Sequence, residues 1–187
     1  MIMTKNPPQA DVKQKQPFHL DKEAIRAAAK KVDNGAVTEG YRGNRQEVIA
    51  MLNDALATEL LCVMRYKRHY YTAKGLENEP IKAEFLQHAQ EEQSHADKIA
   101  ERIVQLNGEP DFNPSTLSQR SHAQYDESSD IKDMIRSNLI EERVAIEAYR
   151  QMIERIGDDD PTTRHMLVQI MAQEEEHADD MTDLLGL

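Results

Sequence analysis

Tryptophan is absent from this 187-residue chain, phenylalanine and tyrosine make up only 5% of it, and a single cysteine, Cys62, is present. One thiol forms no intrachain disulfide and cannot supply the several thiolates of a zinc or iron–sulfur centre. No stretch approaches 18 consecutive apolar residues, and the opening MIMTKNPPQADVKQKQPFHL lacks the apolar segment of an export signal, so a soluble, cytoplasmic protein is expected. What dominates instead is Ala, Glu, Leu, Met, Gln, Arg and Lys, the strong helix formers, and an all-α protein is expected.

The net charge of -11 is uneven: residues 1–45 hold nine Lys/Arg against five Asp/Glu, net +4, so residues 46–187 carry -15. Such a body repels nucleic acid and attracts cations, while a basic arm can touch phosphate without reading sequence. Pro7, Pro8 and Pro17 among Lys and Gln mark residues 1–19 as a flexible arm, followed by a short helix near Asp21–Lys31 that Asn34-Gly35 ends. The arm and this helix make up residues 1–43. Residues 44–187 read as a four-helix bundle. The helices run from about Asn44 to Lys74, from Pro80 to Asn107-Gly108, from Asp130 to Ile156, and from an Asp160 cap with Pro161 nearly to the end. Short links join the first two and the last two as antiparallel hairpins, and GEPDFNPSTLSQRSHAQYDESS forms one long crossover between the pairs.

Each helix carries an apolar stripe at three- and four-residue spacing, and each stripe is broken by glutamate. The first reads Val48, Leu52, Ala55, Glu59, Val63, Tyr66, Tyr70, and the second Ile81, Phe85, His88, Glu92, His95, Ile99, Ile103, Leu106. The third reads Ile131, Ile135, Asn138, Glu142, Ala145, Tyr149, and the fourth Leu167, Ile170, Glu174, His177, Met181, Leu184. Glu59 precedes Glu92 by 33 residues and Glu142 precedes Glu174 by 32, while Tyr66 and Tyr149 each follow their glutamate by seven. The chain is therefore two related halves, each a helix with Glu and Tyr followed by a helix with Glu-x-x-His, and each half supplies half of one site.

Burying one ionised carboxylate costs several kcal/mol, so four at one level demand positive charge. Two divalent ions balance about four negative charges, and Glu-x-x-His presents both ligands on one helix face. Four carboxylates and two imidazoles without thiolate favour iron or manganese. The general description of ferritin-like di-metal carboxylate sites includes this same constellation. One Glu-x-x-His alone is more often a solvated pair; two copies in register with two further stripe glutamates are not. Glu91, Glu175 and Glu176 lie off the stripes and read as surface charge. His69, His88, His122 and His165 read as structural or solvated, with a metal-transit role open, and Cys62 as a small core residue.

Residues about 44–187 resemble the ferritin-like superfamily, and bacterioferritin in particular. The resemblance lies in LNDALATEL and RY of the first helix, EEQSHADKIAERIVQLNGEP of the second, DMIRSNLIEERVAIEAYR of the third and EEEHADD of the fourth. It implies that Glu59 and Glu142 bind one metal each, that Glu92 and Glu174 bridge two, that His95 and His177 bind one each, and that Tyr66 and Tyr149 sit just outside them. The implied activity is ferroxidase, with iron storage or detoxification: two iron ions per subunit, with manganese possible, oxidised by dioxygen or peroxide. Bacterioferritin's haem-ligating methionine is replaced by Gln93, so no haem is expected. Only ten residues follow His177, short of a fifth helix, and the crossover is long. These features resemble twelve-subunit Dps-like mini-ferritins, although the cysteine pair common in that subclass is missing. A manganese catalase-like or di-iron peroxidase and a stress protein binding DNA through the basic arm remain the alternatives. No membrane partner is expected.

Overall fold

The computed structural model describes residues 18–187. Among them the chain forms α1 (Lys22–Ala28), α2 (Arg45–Thr72), α3 (Glu79–Gln105), α4 (Leu117–Arg120), α5 (Ile131–Ile156) and α6 (Pro161–Leu185), with no strand. Apart from its last two residues, the arm expected over 1–19 lies outside the described residues.

Three of the four long helices begin where a side chain accepts an amide that the first turn leaves unpaired, while α3 starts without one. Asn44 accepts from the Glu47 amide before α2, Asp130 from the Lys132 and Asp133 amides before α5, and Asp160 from the Thr163 amide before α6, whose first residue is Pro161. Gly75 ends the α2–α3 link's first bend at φ 103°, a region that an L side chain rarely enters. Gly108 serves close approach instead: a Cβ there would lie 2.9 Å from the Ile49 side chain, so any other residue would have to push that side chain aside where the chain leaves α3 against α2. A 3₁₀ turn, Leu76–Asn78, precedes α3, and helix starts at Glu79, one residue before Pro80.

Side-chain pairs fix the directions. Tyr66 meets both His88 of α3 and Glu142 of α5, while Tyr149 of α5 meets Glu59, so α2 runs antiparallel to both neighbours. His95 with Gln173, and Arg102 with Thr163, set α6 antiparallel to α3. The helices α3 and α5 are thus parallel, and residues 106–130 must return along the length of the bundle. They follow α2, whose polar side chains hold their backbone: Asn53 donates to the Glu109 carbonyl and accepts from the Asp111 amide, Thr58 accepts from the His122 amide, and Arg68 donates to the Glu127 and Ser128 carbonyls. The short helix α4 lies within this crossover and buries Leu117 beside Leu61 and Cys62.

Besides this small cluster under the crossover, the apolar interior falls into two clusters at opposite ends of the bundle. One gathers Val48, Leu52, Ala55, Ile99, Ile103, Tyr149, Leu167 and Ile170; the other gathers Tyr66, Phe85, Ala89, Met134, Ile135 and Met181. Tyr41 packs on the first and donates to Asp160 at 3.0 Å, docking the segment before α2 onto that end. Between the clusters lies a belt of buried polar side chains. None of the described helices is long and apolar enough to cross a membrane.

Candidate metal centre

The four stripe interruptions meet in that belt. Glu59, Glu92, His95, Glu142, Glu174 and His177 are each 0–2% exposed, one carboxylate from α2, one from α5, and a Glu-His pair from each of α3 and α6. They form two overlapping groups, Glu59–Glu92–His95–Glu174 and Glu92–Glu142–Glu174–His177, each able to bring one donor atom per residue within 4.8 Å of the others. Glu92 and Glu174 belong to both. The remaining four divide two and two.

Both imidazoles point the same way with respect to the carboxylates. His95 Nδ1 lies 2.9 Å from Glu174, 3.2 Å from Glu92 and 3.4 Å from Glu59; His177 Nδ1 lies 3.5 Å from Glu174, 3.6 Å from Glu92 and 3.8 Å from Glu142. The outer Nε2 of His95 donates to Gln173 Oε1 at 2.9 Å, and that of His177 to Glu91 Oε2 at 2.8 Å. Each outer bond fixes a ring orientation and leaves Nδ1 facing inward. The tyrosines close the belt above and below: Tyr66 donates to Glu142 Oε1 at 2.5 Å and Tyr149 donates to Glu59 Oε1.

Burial, followed by the Glu92 charge, pushes the Glu59 carboxyl up to about 8; burial, followed by the Glu59 charge, pushes Glu174 up to about 7. Burial pushes Glu142 up as well, but the hydrogen bond and charge of His177, aided by Arg65, outweigh it and hold that carboxyl at about 2. Burial opposes protonation of both histidines, yet hydrogen bonds led by Glu174 for His95 and by Glu142 for His177 raise both well above the usual imidazole value. Without metal, two imidazoliums thus supply the positive charge the belt needs.

Metal fits this donor set better than protons do. Beyond the close approach of the two imidazole Nδ1 atoms, Glu59 Oε2, Glu92 Oε1, Glu142 Oε2, both Glu174 oxygens and His177 Nδ1 are buried without a hydrogen-bond partner, and all belong to the two overlapping groups. Unpaired buried oxygens at this density are costly unless cations take them. The chemistry available is that of hard oxygen and borderline nitrogen ligands around two adjacent ions.

A ferritin-like domain model matches residues 49–187, most of the chain. The protein belongs to the ferritin-like family. A bacterioferritin of Desulfovibrio desulfuricans is 28% identical to this ferritin-like chain over 140 residues, covering 72% of the chain and 74% of the relative. A DNA protection during starvation protein of Halobacterium salinarum is 27% identical over 160 residues, covering 82% and 86%. Among solved structures, a dodecameric thioferritin, the bacterioferritin-related protein of Bacteroides fragilis, shares 31% identity with a TM-score of 0.74 over 78% of this chain and 88% of its own.

The ferritin-like belt also holds residues that stripe reading overlooks. Glu91, expected as surface charge, is only half-buried but is the acceptor for His177; Gln173 is its counterpart for His95. Their signal is positional, since each immediately precedes a stripe glutamate. Glu175 and Glu176 are exposed, as are His122 and His165, whereas His69 and His88 are fully buried. His88 stacks on His177 at 4.0 Å between ring centroids, with Nδ1 3.1 Å from the Tyr66 hydroxyl and Nε2 3.3 Å from Asp180. Arg65 lies fully buried behind Glu142, on no stripe. Cys62 is buried and its thiol is pushed well up, first by burial, which keeps it an unreactive packing group.

Proposed function

We propose that the protein is a ferroxidase of the iron-storage and detoxification type, taking two Fe(II) ions per subunit as substrate. The observation that carries this reading is the set of six buried donor atoms with no partner outside the belt itself, with Glu92 and Glu174 shared between two four-residue groups. Glu92 and Glu174 would bridge the ions, Glu59 with His95 would hold one, and Glu142 with His177 the other. Two adjacent Fe(II) ions supply two electrons, enough to reduce dioxygen to peroxide or peroxide to water. The chain's own contribution is to exclude water, to fix both imidazoles through Gln173 and Glu91, and to hold Glu59 and Glu142 through the tyrosine hydroxyls. The similarity to bacterioferritins supports iron as the metal, and the dodecameric relative supports a homo-oligomeric cage of twelve subunits. The DNA-protection name of the Halobacterium relative suggests a second role for the basic arm, whose lysines at 5, 13 and 15 lie outside the described residues. The -15 body itself repels phosphate.

Anaerobic protein loaded with Fe(II) and mixed with dioxygen or peroxide tests the reading. Glu92→Ala and Glu174→Ala should each slow oxidation by about a hundredfold or more, since each removes a ligand shared by both ions. Unchanged rates in both variants would reject it, and dioxygen evolution from peroxide by manganese-loaded protein would favour the catalase alternative.

A further inference from the structure

The two halves of the site match in the residues that face the centre and differ in what stands behind them. In the register that pairs Glu59 with Glu142 and Tyr66 with Tyr149, Arg65 corresponds to Ala148, Asn138 to Ala55 and His69 to Met152. In the register pairing Glu92 with Glu174, His88 corresponds to Ile170. Behind Glu142 there is therefore a polar network, and behind Glu59 an apolar wall that includes Ala55, Met152 and Ile170.

Arg65 is the charge in that network. It is 0% exposed; its Nε donates to Asn138 Oδ1 at 2.9 Å, and Asn138 Oδ1 also faces His69 Nδ1 at 3.2 Å. One terminal guanidinium nitrogen stands 3.7 Å from Glu142 Oε1 with no hydrogen-bond partner of its own. Among the described residues, Glu59 has no such neighbour: its one ion-pair partner is His95, itself one of the six.

We infer that Arg65 makes the two metal positions unequal, so that the Glu59–His95 position fills first and the Glu142–His177 position takes its cation in a second, weaker step. The inference rests on reading the belt as a two-metal site. A fixed positive charge repels a divalent ion about twice as strongly as it repels the single proton competing for the same carboxylate. Its net effect on Glu142 is thus to disfavour metal, even though it also disfavours the proton. Water does not screen the interaction, because neither group is exposed. The shared carboxylates feel the same charge at both positions, so the difference falls on the unshared pair. Arg65 acts through Glu142 as a positioning residue.

The test is an anaerobic titration of the metal-free, full-length protein with Co(II), followed by calorimetry and by the visible ligand-field bands, which report occupancy without turnover. The wild type should bind two ions in resolved steps. Arg65→Gln should tighten the second step by about tenfold or more, merging it with the first, while Arg65→Lys keeps the charge and should keep the separation. A structural role alone would weaken both steps in both variants. His95→Gln should abolish the tight step and His177→Gln only the weak one, which tests the order without altering Arg65. Two indistinguishable steps in the wild type, or separation surviving in Arg65→Gln, would overturn the inference and leave the two-metal reading intact. Binding of fewer than two ions by the wild type would overturn both.

Discussion

Glu59 and Glu174, two of the carboxylates in a buried belt, hold protons near neutrality when they do not hold metal, and this couples pH to both stability and affinity. Glu59 at about 8 and Glu174 at about 7 lie above their values in an unfolded chain, so the metal-free folded state binds the extra protons. Their contribution to stability is fully present in acid and is lost as pH rises through those values. Glu142, held at about 2, works the other way, but only far below neutrality. His69, lowered to about 4 by burial and then by the Arg65 charge, and His88, lowered by burial and then by His177, act against the trend only below the usual imidazole range. The Tm of metal-free protein is therefore expected to fall between about pH 6.5 and 8.5, while Co(II) affinity rises over the same interval because binding must expel the remaining protons. A Tm that climbs across this interval would show that the belt is not protonated as described.

At the scale of elements, the crossover is held by specific side chains of α2 as well as by its own packing. Arg120 donates to the Asn53 carbonyl at 2.8 Å and to the Asp111 carbonyl at 2.9 Å, joining α4, α2 and the start of the crossover. Arg120→Ala should cost about 1–2 kcal/mol in denaturant unfolding, since the site is partly exposed, with two-metal stoichiometry unchanged. A loss of metal instead would mean that the crossover shapes the belt. The four long helices were legible in the sequence because caps such as Asn44 and Asp130 and a continuous 3.6-residue stripe agree with one another. The six inward residues were legible as interruptions of those stripes, and the structure gathers all six. The short helix α4 was not, since four residues carry no period to recognise. Arg65 was not legible either: an arginine beside a stripe reads as solvent-facing, and only the meeting of α2, α5 and the crossover's Gln124 carbonyl encloses it. Glu91 was misread for a related reason, because its acceptor role depends on α6 standing opposite.

For the whole molecule, mineral storage requires a closed shell, and twelve chains of 21.4 kDa come to about 257 kDa. Native mass spectrometry should find that species at micromolar concentration; a monomer or dimer would leave a soluble di-metal oxidase without a store. The negative body, -15 over residues 46–187, draws cations toward any such shell. The register between the halves has a consequence of a different kind. One helical hairpin, repeated by two identical chains, would reproduce every residue that faces the centre, since each hairpin brings Glu, Tyr and Glu-x-x-His. Such a pair would be bound by exact symmetry, with an arginine behind both outer carboxylates or behind neither. Joining the hairpins into one chain removes that bond: Arg65 and Ala148 are free to differ, and a centre whose two sides receive their ions in a fixed order becomes something that heredity can write.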